Sequence, residues 1–335
     1  EDGKRVAIGA PHNAENGNNS GHVRVYDYIG SSWVQVGSDI DGELKDDHSG
    51  YSVSLSANGT RVAIGAPEND GSGNKNSGHV RVYDSSGNSW VQVGSDIDGE
   101  LTGDKSGYSV SLSADGTRVA IGAPENDGSG NNNSGHVRVY DFDSTGNSWE
   151  QVGSDINGEA ANDHSGHSVS LSADGTRVAI GAPYNDNEKG DGSGHVRVYD
   201  SSGSSWVQVG SDINGELAGD ESGWSVSLSE DGKRVAIGAI YNDGSGNDSG
   251  HVRVYEFNTD KIWVQVGSDI GGETAGDQSG WSVSLSEDGK RVAIGAPHNA
   301  ENGNNSGHVR VYELEVRYEI SGNVYTIIEN TPTVE

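Results

Sequence analysis

The hexapeptide GHVRVY stands at residues 21–26, 78–83, 135–140, 194–199, 250–255 and 307–312, with successive copies separated by 57, 57, 59, 56 and 57 residues. A second phrase, RVAIGA, begins at Arg5, Arg61, Arg118, Arg177, Arg234 and Arg291. A period this regular defines an array of one supersecondary unit, and such a unit cannot bury its apolar face alone. Neighbouring units must pack on one another. That requirement constrains the chain more tightly than its composition does.

Only 31% of the 335 residues are hydrophobic, and glycine alone supplies 52. Such a composition suits disorder, but here the apolar residues alternate strictly with small or polar ones, which is the strand period. The formal charge of −30 makes nucleic acid and anionic membranes poor partners, because phosphate binding relies on Lys and Arg. Cysteine is absent, so neither disulfides nor thiol chemistry enter. No apolar run reaches the roughly 18 residues that a membrane span needs. The chain opens at Glu1, part-way through a repeat and without a signal sequence, and reads as a segment of something longer.

One repeat shows how the unit is built. Ser109-Val-Ser-Leu-Ser113 alternates as a strand, and Ala114-Asp115-Gly116-Thr117 follows as a hairpin turn, expected to be type I′. Residues 118–123 form the second strand, closed by Pro124. A Gly/Asn-rich loop leads to a third strand at 135–141, and a fourth runs from Trp149 to Ile156. Four antiparallel strands in one period are one blade of a β-propeller. Alternation is expected to place Val110, Leu112, Val119, Ile121, Val137, Val139 and, one repeat earlier, Val91 and Val93 on one aliphatic face. Ser109, Ser111, Ala120 and Gly122 would form a flat face for the neighbouring sheet to pack on. Each fully buried Val or Leu contributes about 1.5–3 kcal/mol, enough for a core despite the low overall hydrophobicity.

The first strand type, SVSLS, and the fourth, WVQVG or WEQVG, each occur five times, so six blades is the simplest total. The expected fold is one all-β propeller over 1–335, with seven blades as the alternative if a further repeat completes the ring. Its blades are 1–48 (lacking the innermost strand), 49–105, 106–164, 165–221, 222–278 and 279–335. The tail from Leu314 to Glu329, with Ser321-Gly322-Asn323 as a turn, would supply the last blade's outer strand. Residues 1–26 are identical to 287–312, which fits recent duplication or a longer array.

The order Ser-Gly-(Tyr/His/Trp)-SVSLS, turn, RVAIGAP, loop, GHVRVY resembles the FG-GAP repeat of integrin α-subunit propellers and their bacterial and algal relatives. The GAP triplet stands at Gly9-Ala10-Pro11, Gly65-Ala66-Pro67, Gly122-Ala123-Pro124, Gly181-Ala182-Pro183 and Gly295-Ala296-Pro297, with Ile240 replacing proline in the fifth copy. The resemblance implies an extracellular propeller used in adhesion or recognition. The family's Asp-x-Asp-x-Asp-Gly calcium loop has shrunk here to a two-residue turn such as Asp115-Gly116, so that metal site does not carry over.

A different acidic loop recurs between the fourth strand and the next first strand. It carries Asp39, Asp41, Glu43 and Asp47; Asp96, Asp98, Glu100 and Asp104; Asp155, Glu159 and Asp163; Asp212, Glu216 and Asp220; and Asp269, Glu273 and Asp277. Calcium takes about six to eight oxygens, which such loops could supply together with Asn69/Asp70 and their counterparts on the same rim. Turn carboxylates bonding local backbone N–H groups are the competing reading. Six histidines, His22, His79, His136, His195, His251 and His308, begin the third strands and are expected to make structural hydrogen bonds. The outer tryptophans, Trp33, Trp90, Trp149, Trp206 and Trp263, suit packing or sugar stacking. Tyr51, Tyr108, His167, Trp224 and Trp281 follow the Ser-Gly pair, and a ring of variable aromatics suits ligand contact. Glycosylation acceptors stand at Asn18, Asn58, Asn132, Asn247 and Asn304.

Catalytic sites need one asymmetric constellation, and nearly everything here occurs five or six times. The sequence therefore reads as a non-catalytic extracellular structural or adhesive module, calcium-stabilised, with a protein or glycan ligand at the rim and no cofactor besides calcium. A glycan-binding lectin and a self-associating surface filament or matrix component are the alternatives.

Overall fold

The computed structural model describes residues 3–314 except 129, together with the backbone of strands Val316–Tyr318 and Tyr325–Ile327. The fold is all-β, a propeller of six blades, with no α-helix among the described residues. In the third repeat, inner strand Ser109–Leu112, second strand Arg118–Ala123 and third strand His136–Asp143 pair antiparallel in that order. The outer strand is interrupted. Ser148–Gln151 and Ile156–Asn157 pair separately with the two ends of the third strand. Between them Gly153 takes φ +79°, and a Cβ there would lie 3.3 Å from Cδ1 of Trp206.

The first repeat has Arg5–Ala10, His22–Ile29, Ser32–Gln35 and Ile40–Asp41, and among the described residues no inner strand pairs with them. The sixth has Ser282–Leu285, Arg291–Ala296 and His308–Glu313. Val316–Tyr318 and Tyr325–Ile327 pair as a separate two-stranded sheet. The turn read at Ser321-Gly322-Asn323 lies outside the described residues. The chain divides into two compact units, residues 1–176 with 201–206, and residues 177–200 with 207–335.

Two local expectations are corrected. The Asp115-Gly116 turn is not type I′, which would need both central residues left-handed. Only Gly116 (φ +72°) is, and its N–H donates to Ser113 O at 2.9 Å while Asp115 accepts from Thr117 N–H. The side-chain faces also differ. Val119 stands opposite Tyr140 and Ile121 opposite Arg138, whereas Ala120 and Gly122 stand opposite Val139 and Val137. Directly paired residues share a face, so the third-strand valines lie on the Ser/Ala/Gly side. Val91, assigned to the aliphatic face, is 53% exposed.

That arrangement makes the two faces complementary in steps. Within the first unit, Ala63, Val80, Val82 and Ile97 of the second repeat pack on Leu112, Val119, Ile121 and Tyr140 of the third. Within the second unit, Ala236, Val252, Val254 and Ile270 pack on Val292, Ile294 and Tyr312. Towards the inner strands the small-residue side lets backbones approach. A Cβ on Gly122 would meet Gly166 O at 2.0 Å. Serine hydroxyls then staple successive blades: Ser109 Oγ donates to Gly166 O at 2.8 Å, and Leu171 N–H donates to Ser111 Oγ at 2.9 Å.

Polar clamps complete each junction at the outside. The indoles of Trp149, Trp206 and Trp263 donate to Val93, Val152 and Val209 carbonyls of the preceding repeat at 2.9, 3.0 and 3.0 Å. Trp33, in the first repeat, is 49% exposed. Arg118 grips Asp141 with Nε and Nη2 at 2.5 and 2.7 Å and reaches Gly175 O in the next repeat's turn at 2.9 Å. Gly122→Ala is expected to lower the urea midpoint by the equivalent of about 1–3 kcal/mol, because overpacking forces two blades apart. An unchanged midpoint would contradict the close-approach account.

Candidate functional site

Antiparallel pairing brings the start of each inner strand beside the end of the second strand, as in Ser109 opposite Gly122. One rim of each blade therefore carries the residue after Ser-Gly, the residue before that pair, and the residue after the GAP triplet. These positions differ between otherwise near-identical repeats. The first set is Tyr51, Tyr108, His167, Trp224 and Trp281; the second is His48, Lys105, His164, Glu221 and Gln278; the third is His12, Glu68, Glu125, Tyr184, Tyr241 and His298. Every member of the second set has φ between +53° and +57°. Left-handed backbone at non-glycine residues costs about 1–2 kcal/mol, and here it turns the side chain onto the rim.

Within the first unit the rim forms two chains of contacts. Tyr51 stacks on Tyr108 at 4.8 Å and Tyr108 on His167 at 4.9 Å, with the Tyr108 hydroxyl 3.2 Å from His167 Nε2. Beside them His48 Nδ1 lies 3.6 Å from Glu68 Oε2, and Lys105 Nζ sits 3.2 Å from Glu68 and 3.7 Å from Glu125. Lys105 thus bridges two carboxylates, and Glu68 is shared between it and His48. Burial lowers the pKa of His164, with Glu125 and Asp163 opposing.

The second unit is different in kind. Trp224 and Trp281 stack at 5.1 Å, and Trp281 meets His298 edge-on at 6.0 Å. Glu221 occupies the position held elsewhere by His48 and Lys105, and among the described residues no ion pair to it is found. Its Oε2 is buried without a hydrogen-bond partner. Burial alone pushes its carboxyl up to about 7. Tyr184 is pushed up to about 12 by burial, then by Glu221 and Tyr241. Tyr241 is tied to the same loop by its N–H to Asp220 O at 3.4 Å. Proposals from sequence reached Trp224 and Trp281 but not Glu221. The signal available was a lone Glu among His, Lys, His and Gln in an invariant Asp-x-Ser-Gly frame.

The acidic loop residues are drawn to separate partners. Asp47, Asp104, Asp163, Asp220 and Asp277 are buried and accept from the backbone N–H of Leu44, Leu101, Ala160, Leu217 and Thr274. Asn242 and Asn299, on the second-to-third loop, donate to Asp220 and Asp277 at 3.0 Å each, so the two loops meet directly. Asp39, Asp96, Asp155, Asp212 and Asp269 each accept from the glutamine four residues earlier at 2.6–2.7 Å. Glu43, Glu100 and Glu216 face the next repeat's Arg81, Arg138 and Arg253 at 3.4, 3.4 and 3.5 Å. Those arginines also donate to Asp41, Asp98 and Asn214 carbonyls. Asp41 and Asp98 lie on short outer strands, and Glu159 and Glu273 on the loops that follow them. The acceptor asparagines Asn18, Asn58, Asn132, Asn247 and Asn304 are all exposed.

The structure also assembles His/carboxylate groups able to hold a metal ion, among them Glu43–His79–Asp96, Glu100–His136–Asp155 and Glu216–His251–Asp269. Burial first, and the neighbouring arginine second, lower His136 and His251 to about 4, so both imidazoles are neutral at pH 7.

The chain matches the FG-GAP repeat family over residues 97–140, 157–199, 214–255 and 271–312, and it belongs to that family. No curated protein matches it by sequence. Among solved structures it is similar to the periplasmic gluconolactonase of Pseudomonas aeruginosa, at 17% identity and TM-score 0.61, covering 99% of this chain and 85% of that one. It is also similar to Kuenenia stuttgartiensis hydrazine synthase (13% identity, TM-score 0.52, 88% and 70% covered). A Bacteroides uniformis protein assigned as a 6-phosphogluconolactonase gives 12% identity and TM-score 0.51 over 99% and 96%. At these identities the likeness establishes the propeller fold alone.

The reading as a non-catalytic adhesive, lectin-like or filament-forming module is therefore corrected. Enzymes stand among the similar propellers, and the rim positions at which the repeats differ supply the asymmetry that repetition elsewhere denies. No helix is long and apolar enough to cross a membrane among the described residues.

The titrations have opposite signs. Folded Glu221 holds its proton up to about pH 7 and the unfolded residue only to 4.5, so its contribution to stability is lost as pH rises through that window. His136 and His251 are neutral when folded, so theirs is lost as pH falls from 6.5 towards 4. Glu221→Gln is expected to raise the melting temperature at pH 8 and leave it nearly unchanged at pH 4.5. Equal shifts at both pH values would mean that burial does not hold the carboxyl protonated.

Proposed function

We propose that the chain is a hydrolase acting on a lactone of a sugar acid or a similar polyhydroxylated cyclic ester, with Glu221 as general base. The observation that carries this reading is the Glu221 carboxyl, whose unpartnered oxygen and pKa of about 7 suit proton transfer at neutral pH. Trp224 and Trp281 supply a stacked aromatic wall on which the apolar face of a sugar ring can lie. Tyr184, pushed up to about 12, keeps its proton and can donate to the carbonyl oxygen as negative charge develops there.

In the reaction, Glu221 takes a proton from water as the water oxygen bonds to the ester carbonyl carbon. The ring C–O bond then breaks as the ring oxygen takes that proton from Glu221, which restores the base, and an open-chain hydroxy acid leaves. Propellers named as a gluconolactonase and a 6-phosphogluconolactonase share the architecture, which supports the substrate class. A secreted or periplasmic location belongs to the same reading. Its supports are the exposed glycosylation acceptors and the periplasmic neighbour.

The test is hydrolysis of gluconolactone and related aldonolactones, followed by acid release and corrected for the spontaneous rate. Glu221→Gln is expected to lower kcat about 10²–10⁴-fold with a smaller change in KM, the usual worth of a general base. Activity indistinguishable from the spontaneous rate on every lactone tried would overturn the proposal.

A further inference from the structure

The first repeat holds a polar cluster that the rim site does not use. Its His22 begins the third strand and is only 4% exposed. Strand register sets His22 opposite Asp41. The fourth strand's approach brings in Asp39, whose Oδ2 is 3.5 Å from His22 Nδ1. The loop between second and third strands brings in Glu15, whose Oε2 is 3.8 Å from the same nitrogen. One donor atom from each of Glu15, His22, Asp39 and Asp41 lies within 4.8 Å of all the others.

Two features separate this cluster from a solvated acidic patch. His22 Nδ1 is buried and makes no hydrogen bond, although it faces the carboxylates. Burying an imidazole nitrogen without a partner is costly, and a cation among these groups would be that partner. The charge is also unbalanced. Arg24 binds Asp39 through Nε at 2.8 Å and Nη2 at 2.7 Å and comes within 4.0 Å of Glu15, neutralising one of three carboxylates. Gln35 occupies the other oxygen of Asp39, at 2.6 Å. The net charge of about −2 that remains matches a divalent ion. At the second and third repeats a buried arginine instead spans the junction, and only three donors gather.

We infer that Glu15, His22, Asp39 and Asp41 form a site for a first-row divalent transition cation of the zinc type. One imidazole nitrogen with carboxylate oxygens is a donor set such ions accept, whereas calcium prefers oxygen alone. Glu15 is exposed and sits on a loop, so it can close the remaining distance as the ion binds. Bound metal would tie that loop to the third and fourth strands of the first blade.

The experiment is calorimetric titration of the metal-free protein with zinc chloride and, separately, calcium chloride, with manganese-induced broadening of histidine resonances as the local readout. One saturable zinc event tighter than calcium is expected, with His22 resonances broadened first. Glu15→Gln, a surface change that leaves the core alone, should weaken zinc about tenfold or more, and His22→Ala should abolish that event. No saturable zinc binding overturns the inference. So does an affinity unchanged in both variants, which would place the ion at another His/carboxylate group. Lactone hydrolysis bears on a different unit of the chain, so its failure leaves this result standing.

Discussion

Close approach between successive sheets is the constraint on which the rest depends. A repeat with so few apolar residues can bury them only if the neighbouring backbone comes near, and glycine and serine on the inner strands permit that. Gly122 leaves no room for a side chain against Gly166, and Ser109 and Ser111 turn the contact into hydrogen bonds. Further out, the small-residue side becomes bulky through Val137 and Val139, while the facing side carries Tyr140 and Arg138. The junction is thus graded, tight at the inner strands and clamped by tryptophan and arginine outside. Both faces of a half-polar strand can then be buried without long apolar runs.

The same frame explains where chemistry can sit. Interior positions are bound to repeat, since each must fit an equivalent neighbour. Rim positions face no neighbour of fixed shape and are free to differ. In the first unit Lys105 sits between Glu68 and Glu125, and His48 lies against Glu68. In the second, Glu221 has a buried oxygen with no hydrogen-bond partner and lies close enough to Tyr184 for its charge to be felt there. A structure with repeated blades therefore acquires a unique group through what surrounds one position. Left-handed backbone at Glu221 is the local cost of presenting it.

Much of this was legible in the sequence, and the failures are physical. The blade count, the strand order and the missing inner strand of the first repeat follow from period and alternation. The side-chain faces did not, because alternation within a strand says nothing about register between strands; only the pairing of Val119 with Tyr140 reveals that the third strand is offset. The aromatic rim positions could be named because they vary. Glu221 was passed over because a charged residue in a turn reads as solvated, and no spacing in the sequence shows that Tyr184, on the second-to-third loop of the fourth repeat, lies close enough to feel its charge. Composition counts the carboxylates of the acidic loops but does not say where each one turns. It cannot show that Asp47 turns inward to Leu44 while Glu43 reaches Arg81.

The central claim is that burial, with one oxygen left unpaired, raises the Glu221 carboxyl up to about 7. The most direct measurement is a pH titration of glutamate side-chain carboxyl carbons by NMR, with the Glu221 resonance assigned through its disappearance in Glu221→Gln. The account requires that resonance to titrate near pH 7, well above the other glutamates. A midpoint close to 4.5 would show Glu221 to be an ordinary surface carboxylate, and the rim would lose its claim to chemistry.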